Sequence, residues 1–276
     1  MDVGRWMVWM LVLVSLCWGP VAAASVLLPC RSAGDVMETG NHEVIVLESE
    51  AGQAALHAAA ALKKHAYGFD GEERESGLLR AAAAYGVVAD AANYGALERV
   101  EGAFRAGEIY RARERPDEAR LRFEQAVELG EAVAEQSVRR FAARALLEVA
   151  HQLRREGRLD EALNVYGAVR NRFGDCPRSC THAVTRSGKI HLKEGRVKEA
   201  RASFLDFEPF VPDYPMQAVR NVDELAVALV LKGEVEQAHE VVALLENALS
   251  STGASMEVPV ASALQALRDK MTELGY

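Results

Sequence analysis

The feature that most constrains the fold is a short phrase that recurs four times along the chain. It reads RERPDEA at 113–119, REGRLDEA at 155–162, KEGRVKEA at 193–200 and LKGEVEQA at 231–238. Each copy has a charged run, usually with a glycine, and ends in alanine. Such a run between two apolar, periodic stretches predicts a turn. A chain that repeats one turn is predicted to repeat the helix or strand pair around it.

Apolar residues keep a constant spacing around the four turns. A very small residue stands twelve positions before each closing alanine: Gly107, Ala150, Gly188 and Ala226. A bulky apolar residue stands four positions after each alanine: Phe123, Tyr166, Phe204 and Val242. Spacings of three and four place apolar residues on one face of a helix. The unit is therefore predicted to be helix–turn–helix, with small residues that let the two helices approach closely.

This pattern resembles the tetratricopeptide repeat. The copy AFRAGEIYRARERPDEARLRFEQAVEL matches most closely, with seven residues on family positions: Ala103, Ala106, Gly107, Tyr110, Ala119, Phe123 and Ala126. His191 and Val242 stand where the family prefers aromatic residues, and the closing alanines are 43, 38 and 38 residues apart rather than about 34. The resemblance covers residues 99–250. It implies an all-α fold, a right-handed helical-hairpin solenoid of tetratricopeptide-like repeats with a C-terminal capping helix.

The repeat pattern sets the expected domain organisation. Residues 96–250 are predicted to form four helix pairs, and residues 51–95 two N-terminal helices that can be interpreted as a degenerate repeat. Residues 251–276 are predicted to form the capping helix. Residues 25–50 show no clear periodicity apart from VIVLE, so we expect an extended segment or linker with a short strand.

The N-terminus predicts export. Residues 1–24 combine Arg5, an apolar run over 6–18, a Gly-Pro break and three alanines at 22–24, which is typical of a cleaved signal peptide. The expected location is the periplasm or the exterior, with no membrane span after cleavage. The alternative is a retained membrane anchor, because no charge occurs between Arg5 and Arg31.

Three cysteines follow the predicted cleavage site. In an exported protein, Cys176 and Cys180 are predicted to form a disulfide within CPRSC. A bond from Cys30 to the repeats is an alternative. The other alternative is a zinc site made by Cys176, Cys180, His182 and His191, whose spacing matches no common zinc pattern. The prediction is therefore no metal.

No catalytic motif occurs. The sequence lacks GxSxG, HExxH and a glycine-rich phosphate loop, so we predict neither catalysis nor a cofactor. The formal net charge of −8, without a lysine and arginine block, argues against binding to nucleic acid. The leading hypothesis is a non-enzymatic interaction scaffold of the cell envelope. The alternative is a metal- or carboxylate-dependent enzyme on a helical scaffold.

A solenoid offers a groove lined by the first helix of each unit. Helical geometry places a basic set of side chains there, which we predict to bind the partner: Arg144, His151, Arg154, His182, Lys189 and Arg220. The first unit is predicted to give the groove an acidic end, lined by Glu101, Phe104, Glu108 and Arg111. Members of the tetratricopeptide family commonly bind peptide segments or chain termini in this groove. The expected partner is a protein or peptide with an acidic or carboxylate-ended segment, because guanidinium groups suit carboxylates.

Overall fold

The computed structural model describes residues 39–251 and 258–273, and the described residues from 43 onwards form one compact unit. The described residues form eleven α-helices: α1 Thr39–Ala66, α2 Gly71–Asp90, α3 Ala96–Ala112, α4 Pro116–Glu131, α5 Gln136–Arg155, α6 Leu159–Arg172, α7 Pro177–Lys193, α8 Val197–Leu205, α9 Pro215–Leu231, α10 Val235–Ser251 and α11 Val258–Glu273. A single 3₁₀ turn, Glu208–Phe210, follows α8. The predicted signal peptide and Cys30 lie outside the described residues.

The helices pack in sequential pairs. Helices α3 and α4, α5 and α6, α7 and α8, and α9 and α10 form four helix pairs around the four recurring turns. The predicted all-α solenoid of helix pairs is confirmed, and residues 39–251 and 258–273 contain no strand. The prediction of an extended segment through residue 50 is wrong for residues 39–50, which belong to α1. Strand propensity in VIVLE is a weak preference that the surrounding helix overrides.

The four turns share one backbone conformation. Each contains a residue with positive φ, which is Glu114 at 55° in the first turn and a glycine at 73–79° in the others: Gly157, Gly195 and Gly233. The next amide donates to a carbonyl five residues back, as in Arg158 N to Leu153 O at 3.0 Å and Arg196 N to His191 O at 2.8 Å. This is the hydrogen bond of a Schellman ending, which closes one helix and starts the next. Glycine suits it because it adopts positive φ without steric cost.

Small residues bring the two helices of a pair together. A Cβ added to Gly107 would lie 2.7 Å from the ring of Phe123, and one added to Gly188 would lie 2.5 Å from the ring of Phe204. Both phenylalanines are buried. The predicted pairing of small and bulky residues across the turn is therefore the packing of these two hairpins.

The core runs the length of the helix stack. Buried residues of α2 to α7 form one cluster, those of α7 to α11 a second, and those of α1 to α3 a third. Helix α11 buries Val260, Leu264, Leu267 and Met271 and contacts α9. No helix in the described part of the chain is long and apolar enough to cross a membrane.

The predicted Cys176–Cys180 disulfide is absent. Both cysteines are buried free thiols. Pro177 starts α7 immediately after Cys176, so the segment predicted as a loop is the first turn of a helix. Cys180 Sγ donates to the Phe173 carbonyl at 3.2 Å. Burial raises the pKa of both thiols, that of Cys180 to about 11, so both are held protonated.

Candidate functional site: a cationic groove

The first helices of the last three pairs, α5, α7 and α9, contact their neighbours along one side of the stack. Two adjoining cavities open between them, and both are lined by Arg178 and Tyr214. We call their combined surface the cationic groove. The first helix of each of these repeats lies at this surface, as the sequence predicts.

The first cavity has a volume of about 510 Å³ and lies between α5 and the start of α7. Its charged side chains are Arg140, Arg144 and Arg178, with Phe141 and Tyr214 as aromatic walls. The Arg144 guanidinium carbon lies 4.5 Å from the centroid of the buried Phe104 ring. Stacking on an aromatic face holds a guanidinium in place while its edge stays available to a ligand.

The second cavity has a volume of about 530 Å³ and lies between α7 and α9. Its charged side chains are Arg178, Arg186, Lys189, Arg220 and Glu224. Several groups that can donate or accept hydrogen bonds complete its lining: Thr181, His182, Thr185, Tyr214 and Gln217. Thr185 and Gln217 are fixed by the buried Asn221, whose Nδ2 donates to Thr185 Oγ1 and whose Oδ1 accepts from Gln217 Nε2, both at 2.9 Å.

Cations far outnumber carboxylates in the groove. Its two cavities are lined by six basic side chains, Arg140, Arg144, Arg178, Arg186, Lys189 and Arg220, and by one carboxylate, Glu224. Glu224 pairs with Lys189 at 2.6 Å. Glu108 lies 3.7 Å from Arg144. Within the described residues, Arg140, Arg178, Arg186 and Arg220 form no ion pair with a carboxylate. The groove therefore carries a positive potential on a protein whose total charge is −8.

His151 and Arg154 lie on α5 at the junction with α6 and α7. His151 Nδ1 is 3.9 Å from Glu148 Oε1, and Arg111 also approaches Glu148 at 3.5 Å. Burial raises the pKa of Glu148, but His151, Arg111 and Arg155 together hold it below its usual value, so the carboxylate is ionised. The His151 ring packs edge-on against Tyr166 at 5.8 Å between centroids.

His182 lies in the second cavity with its imidazole among cations. Enclosure by its neighbours lowers the pKa of His182, and the nearby His151 and the positive charges of Arg178 and Arg186 lower it further. The imidazole is therefore neutral at pH 7. An anion bound beside it would favour its protonation.

The structure brings most of the predicted set together. Arg144 lines the first cavity, and His182, Lys189 and Arg220 line the second, while His151 and Arg154 lie at the junction between α5 and α7. Sequence reasoning missed Arg140, Arg178 and Arg186. The missed signal is a spacing of four, which places Arg140 on the face of Arg144 and both Arg178 and Arg186 on the face of His182.

The acidic end predicted for the groove is neutralised within its own helix. Arg105 lies 3.1 Å from both Glu101 and Glu108. Phe104, predicted to face the groove, is instead buried in the core. In the fourth pair, Asp223 is bound by Lys270 of α11 at 2.8 Å. The groove is therefore basic along α5, α7 and α9 and close to neutral at α3.

A metal centre has no support among the described side chains. In residues 39–251 and 258–273, no three histidine, cysteine or acidic side chains converge as they would around an ion. His182, Cys176 and Cys180 do not form such a group.

Comparisons with known proteins return helical-repeat structures. A putative kinesin light chain from Podosopora anserina with nearly identical TPR-like repeats is 14% identical over 74% of this chain and 97% of its own, with a TM-score of 0.43. A point variant of the same protein gives 14% identity over 73% of this chain and 95% of its own, again with a TM-score of 0.43. The Rap conjugation gene regulator of plasmid pLS20, solved in complex with the Phr* peptide, is 17% identical over 89% of this chain and 64% of its own, with a TM-score of 0.41.

No protein-family model matches the sequence, and no curated protein is significantly similar to it. The helix pairs, their small-to-bulky packing and the four similar turns decide the fold. The fold is a solenoid of helix pairs similar to that of tetratricopeptide-repeat proteins. The four pairs are called repeats 1 to 4 below.

Proposed function

We propose that this protein is a non-enzymatic interaction scaffold that holds an acidic or carboxylate-ended segment of a partner protein in the cationic groove. The observation that carries the proposal is the excess of six basic side chains over one carboxylate in two adjoining cavities. A cleft lined by charges of one sign focuses the field and attracts a ligand of opposite charge.

The shape of the groove favours an extended peptide over a compact small molecule. The cavities adjoin at Arg178 and Tyr214, so one segment can run across α5, α7 and α9. A guanidinium group can bind both oxygens of a carboxylate at once, and four in the groove have no carboxylate partner among the described residues. Tyr214 and Phe141 offer apolar faces between the charges.

We also propose that the protein acts outside the cytoplasm, in the cell envelope. The support is the N-terminal sequence, in which an apolar run over 6–18 follows Arg5 and precedes three alanines at 22–24. Separation of the cleaved protein from whole cells by fractionation, with the N-terminal residue read by sequencing, tests this part independently of binding.

A pair of labelled peptides tests the groove. We expect a fluorescent peptide that alternates glutamate with glycine to raise its polarisation when the protein is added, whereas the lysine counterpart does not respond. The binding should weaken as salt rises, because exposed charges are screened within about 8 Å at physiological ionic strength. Equal binding of both peptides, or binding that is independent of salt, would show that the groove does not select acidic segments.

A further inference from the structure

Four buried polar atoms without a hydrogen-bond partner gather where α5, α6 and α7 meet. Three can donate or become donors, which are His151 Nε2, Arg154 Nε and the Tyr166 hydroxyl, and the fourth is the acceptor Glu148 Oε2, 3.5 Å from Arg111. Leaving a buried polar group unpaired costs about 1–3 kcal/mol, so natural proteins seldom tolerate several of them in one place. Tyr166 is fully buried, and its ring packs against His151.

Packing does not require the Tyr166 hydroxyl. The equivalent residues of repeats 1, 3 and 4 are Phe123, Phe204 and Val242, all of them buried hydrocarbon side chains. Only repeat 2 places a polar atom at this position. A hydroxyl that the fold does not need, and that makes no well-formed hydrogen bond in the described structure, points to a role in binding.

The charge of this junction is positive. Burial raises the pKa of the Tyr166 hydroxyl, and the charges of Arg154 of α5 and Arg186 of α7 lower it in part. Arg154 also approaches the hydroxyl as a hydrogen-bond donor, although the geometry falls short of a full bond. Glu148 is the nearby carboxylate that acts on the hydroxyl, and its charge is offset by Arg111 at 3.5 Å. The three atoms are therefore donors, or can become donors, beside uncompensated positive charge.

We propose that this junction is an anion subsite, in which the Tyr166 hydroxyl, His151 Nε2 and the Arg154 guanidinium bind a single carboxylate or phosphate group. His151 and Arg154 are partly exposed, so an anion can reach these two side chains from solvent. The physiological ligand of this subsite rests on the proposed function. By binding one anionic group of an acidic segment, the subsite would fix the register of that segment in the groove.

Small oxyanions test the subsite without a partner. Acetate stands for the carboxylate and inorganic phosphate for the phosphate monoester, each titrated at constant ionic strength. We expect saturable shifts in the nuclear magnetic resonance signals of the His151 and His182 side chains. The anion that binds more tightly shows whether the subsite prefers a carboxylate or a phosphate group. Non-saturating shifts for both anions would overturn the proposal.

Removing a single oxygen separates binding from structure. In Tyr166→Phe we expect affinity for the preferred anion to fall about tenfold, as for the loss of one charge-assisted hydrogen bond. The thermal midpoint should stay unchanged or rise, because an unpartnered buried hydroxyl is removed. Tyr110→Phe, the same change outside the junction, should leave the affinity unchanged. An unchanged affinity in Tyr166→Phe would refute the subsite. If the thermal midpoint of that variant also fell, the hydroxyl would bind only an ordered water.

The acidity of the medium supplies an independent readout. His182 of α7 faces His151 and Glu148 of α5, and shares its cavity with Arg178 and Arg186 of its own helix, with Tyr214, and with Gln217, Arg220 and Glu224 of α9. Sulfate keeps its charge from pH 7.5 to 5.5, so stronger sulfate binding at the lower pH reports protonation of His182. We expect a gain of several-fold that His182→Gln reduces. No gain in the wild-type protein would contradict the subsite.

The subsite and the proposed function can fail separately. If acetate or phosphate saturates the junction but the glutamate peptide does not bind, the scaffold proposal fails and the subsite stands. If the peptide binds wild-type protein and Tyr166→Phe equally well, the subsite fails and the groove stands.

Discussion

Glycine has opposite roles at different positions of the repeats. Gly157 adopts φ of 79° in a turn and has open space around its missing Cβ, so its role is conformational. Gly188 faces the Phe204 ring in the middle of a helix, so its role is to leave room. Glu114 occupies the turn position of repeat 1 at φ of 55°, which shows that the conformation is imposed by the hairpin and is only favoured by glycine.

Two identical substitutions should therefore change stability in opposite directions. Gly188→Ala places a Cβ 2.5 Å from Phe204, and we expect the free energy of unfolding to fall by about 1–3 kcal/mol through overpacking. Gly188→Leu should cost at least as much. Gly167→Ala, in the interior of α6 with nothing within 4 Å, should raise it by about 0.5–1 kcal/mol, because alanine favours the helix.

Urea denaturation followed by circular dichroism measures both changes. The matched pair controls for the removal of glycine flexibility from the unfolded chain, which is the same in both variants. Equal shifts of the two denaturation midpoints in one direction would mean that contact with Phe204 does not limit the packing of repeat 3.

Among the helices of the repeats, α7 has a start that the sequence analysis misplaces. Proline in CPRSC is typical of a loop, yet Pro177 occupies the first position of the helix. Cys180 therefore lies one turn inside α7 and is fully buried.

We expect the thiols of Cys176 and Cys180 to react very slowly with iodoacetamide at pH 7.5. Burial blocks access and keeps the thiol protonated, while the thiolate is the reactive form. In urea both should be alkylated rapidly, and peptide mass spectrometry should detect a label on Cys176 and another on Cys180. A peptide from α7 that takes no label even when unfolded, unless first reduced, would reveal the disulfide that the structure lacks.

Buried and exposed polar contacts between helices of the stack should contribute differently to the free energy of unfolding. Asn221 of α9 is 1% exposed and donates to Thr185 of α7. Asn221→Ala should lower the free energy of unfolding by about 1–3 kcal/mol, because it leaves buried polar groups unpaired. Lys270→Ala breaks the exposed pair with Asp223 and should cost less than about 1 kcal/mol. Thermal denaturation of Asn221→Ala and Lys270→Ala measures the two losses of stability. Equal losses would show that burial does not determine how much each contact stabilises the fold.

The helix pairs can be predicted because their signals are local. The twelve-residue interval from Gly188 to Ala200, and the four residues from there to Phe204, recur in every repeat and specify which faces pack. The prediction of an extended segment fails because it rests on the strand preference of VIVLE alone. In the structure these residues belong to a helix that continues to Ala66. A longer helix that includes a short segment can override the strand preference of that segment.

The groove is only partly predictable because its lining depends on contacts between repeats. Spacing places Arg144 and Arg220 at the surface correctly. It cannot show that Arg178 borders both cavities, because this depends on how α7 packs between α5 and α9. Phe104 is misplaced for the same reason: it fits a groove position in α3 but fills the core beneath Arg144.

At the scale of the whole molecule, stability should fall as the pH drops from 7.5 to 5.5. Burial lowers the pKa of His182 and of His191, so the folded state favours their neutral forms. The unfolded chain binds more protons below about pH 6.5, and stability is lost as the pH falls from there. The lowered carboxylate pKa of Asp175 acts in the same direction only at more acidic pH.

The thermal midpoint measured at pH 7.5 and 5.5 checks this dependence. The double variant His182→Gln, His191→Gln should reduce the difference between the two midpoints, because the groups that gain protons on unfolding are removed. A midpoint that rises at the lower pH would contradict the burial of these imidazoles.

The central proposal for the whole molecule is that the charges of the groove hold the partner. The net charge of the protein should not determine this binding. Arg178→Glu with Arg220→Glu reverses two cations of the groove that have no carboxylate partner among the described residues. Arg80→Glu with Lys198→Glu, in the exposed faces of α2 and α8, changes the net charge by the same amount outside the groove. Both variants should keep the helical circular dichroism of the wild type.

The affinity of the labelled glutamate peptide for these two variants tests the account most directly. We predict that binding is lost with Arg178→Glu and Arg220→Glu and is retained within about threefold with Arg80→Glu and Lys198→Glu, since more distant exposed charges are screened by salt. Equal losses in both variants would mean that only the net charge matters. Full binding by the groove variant would place the interaction on another surface and contradict the account.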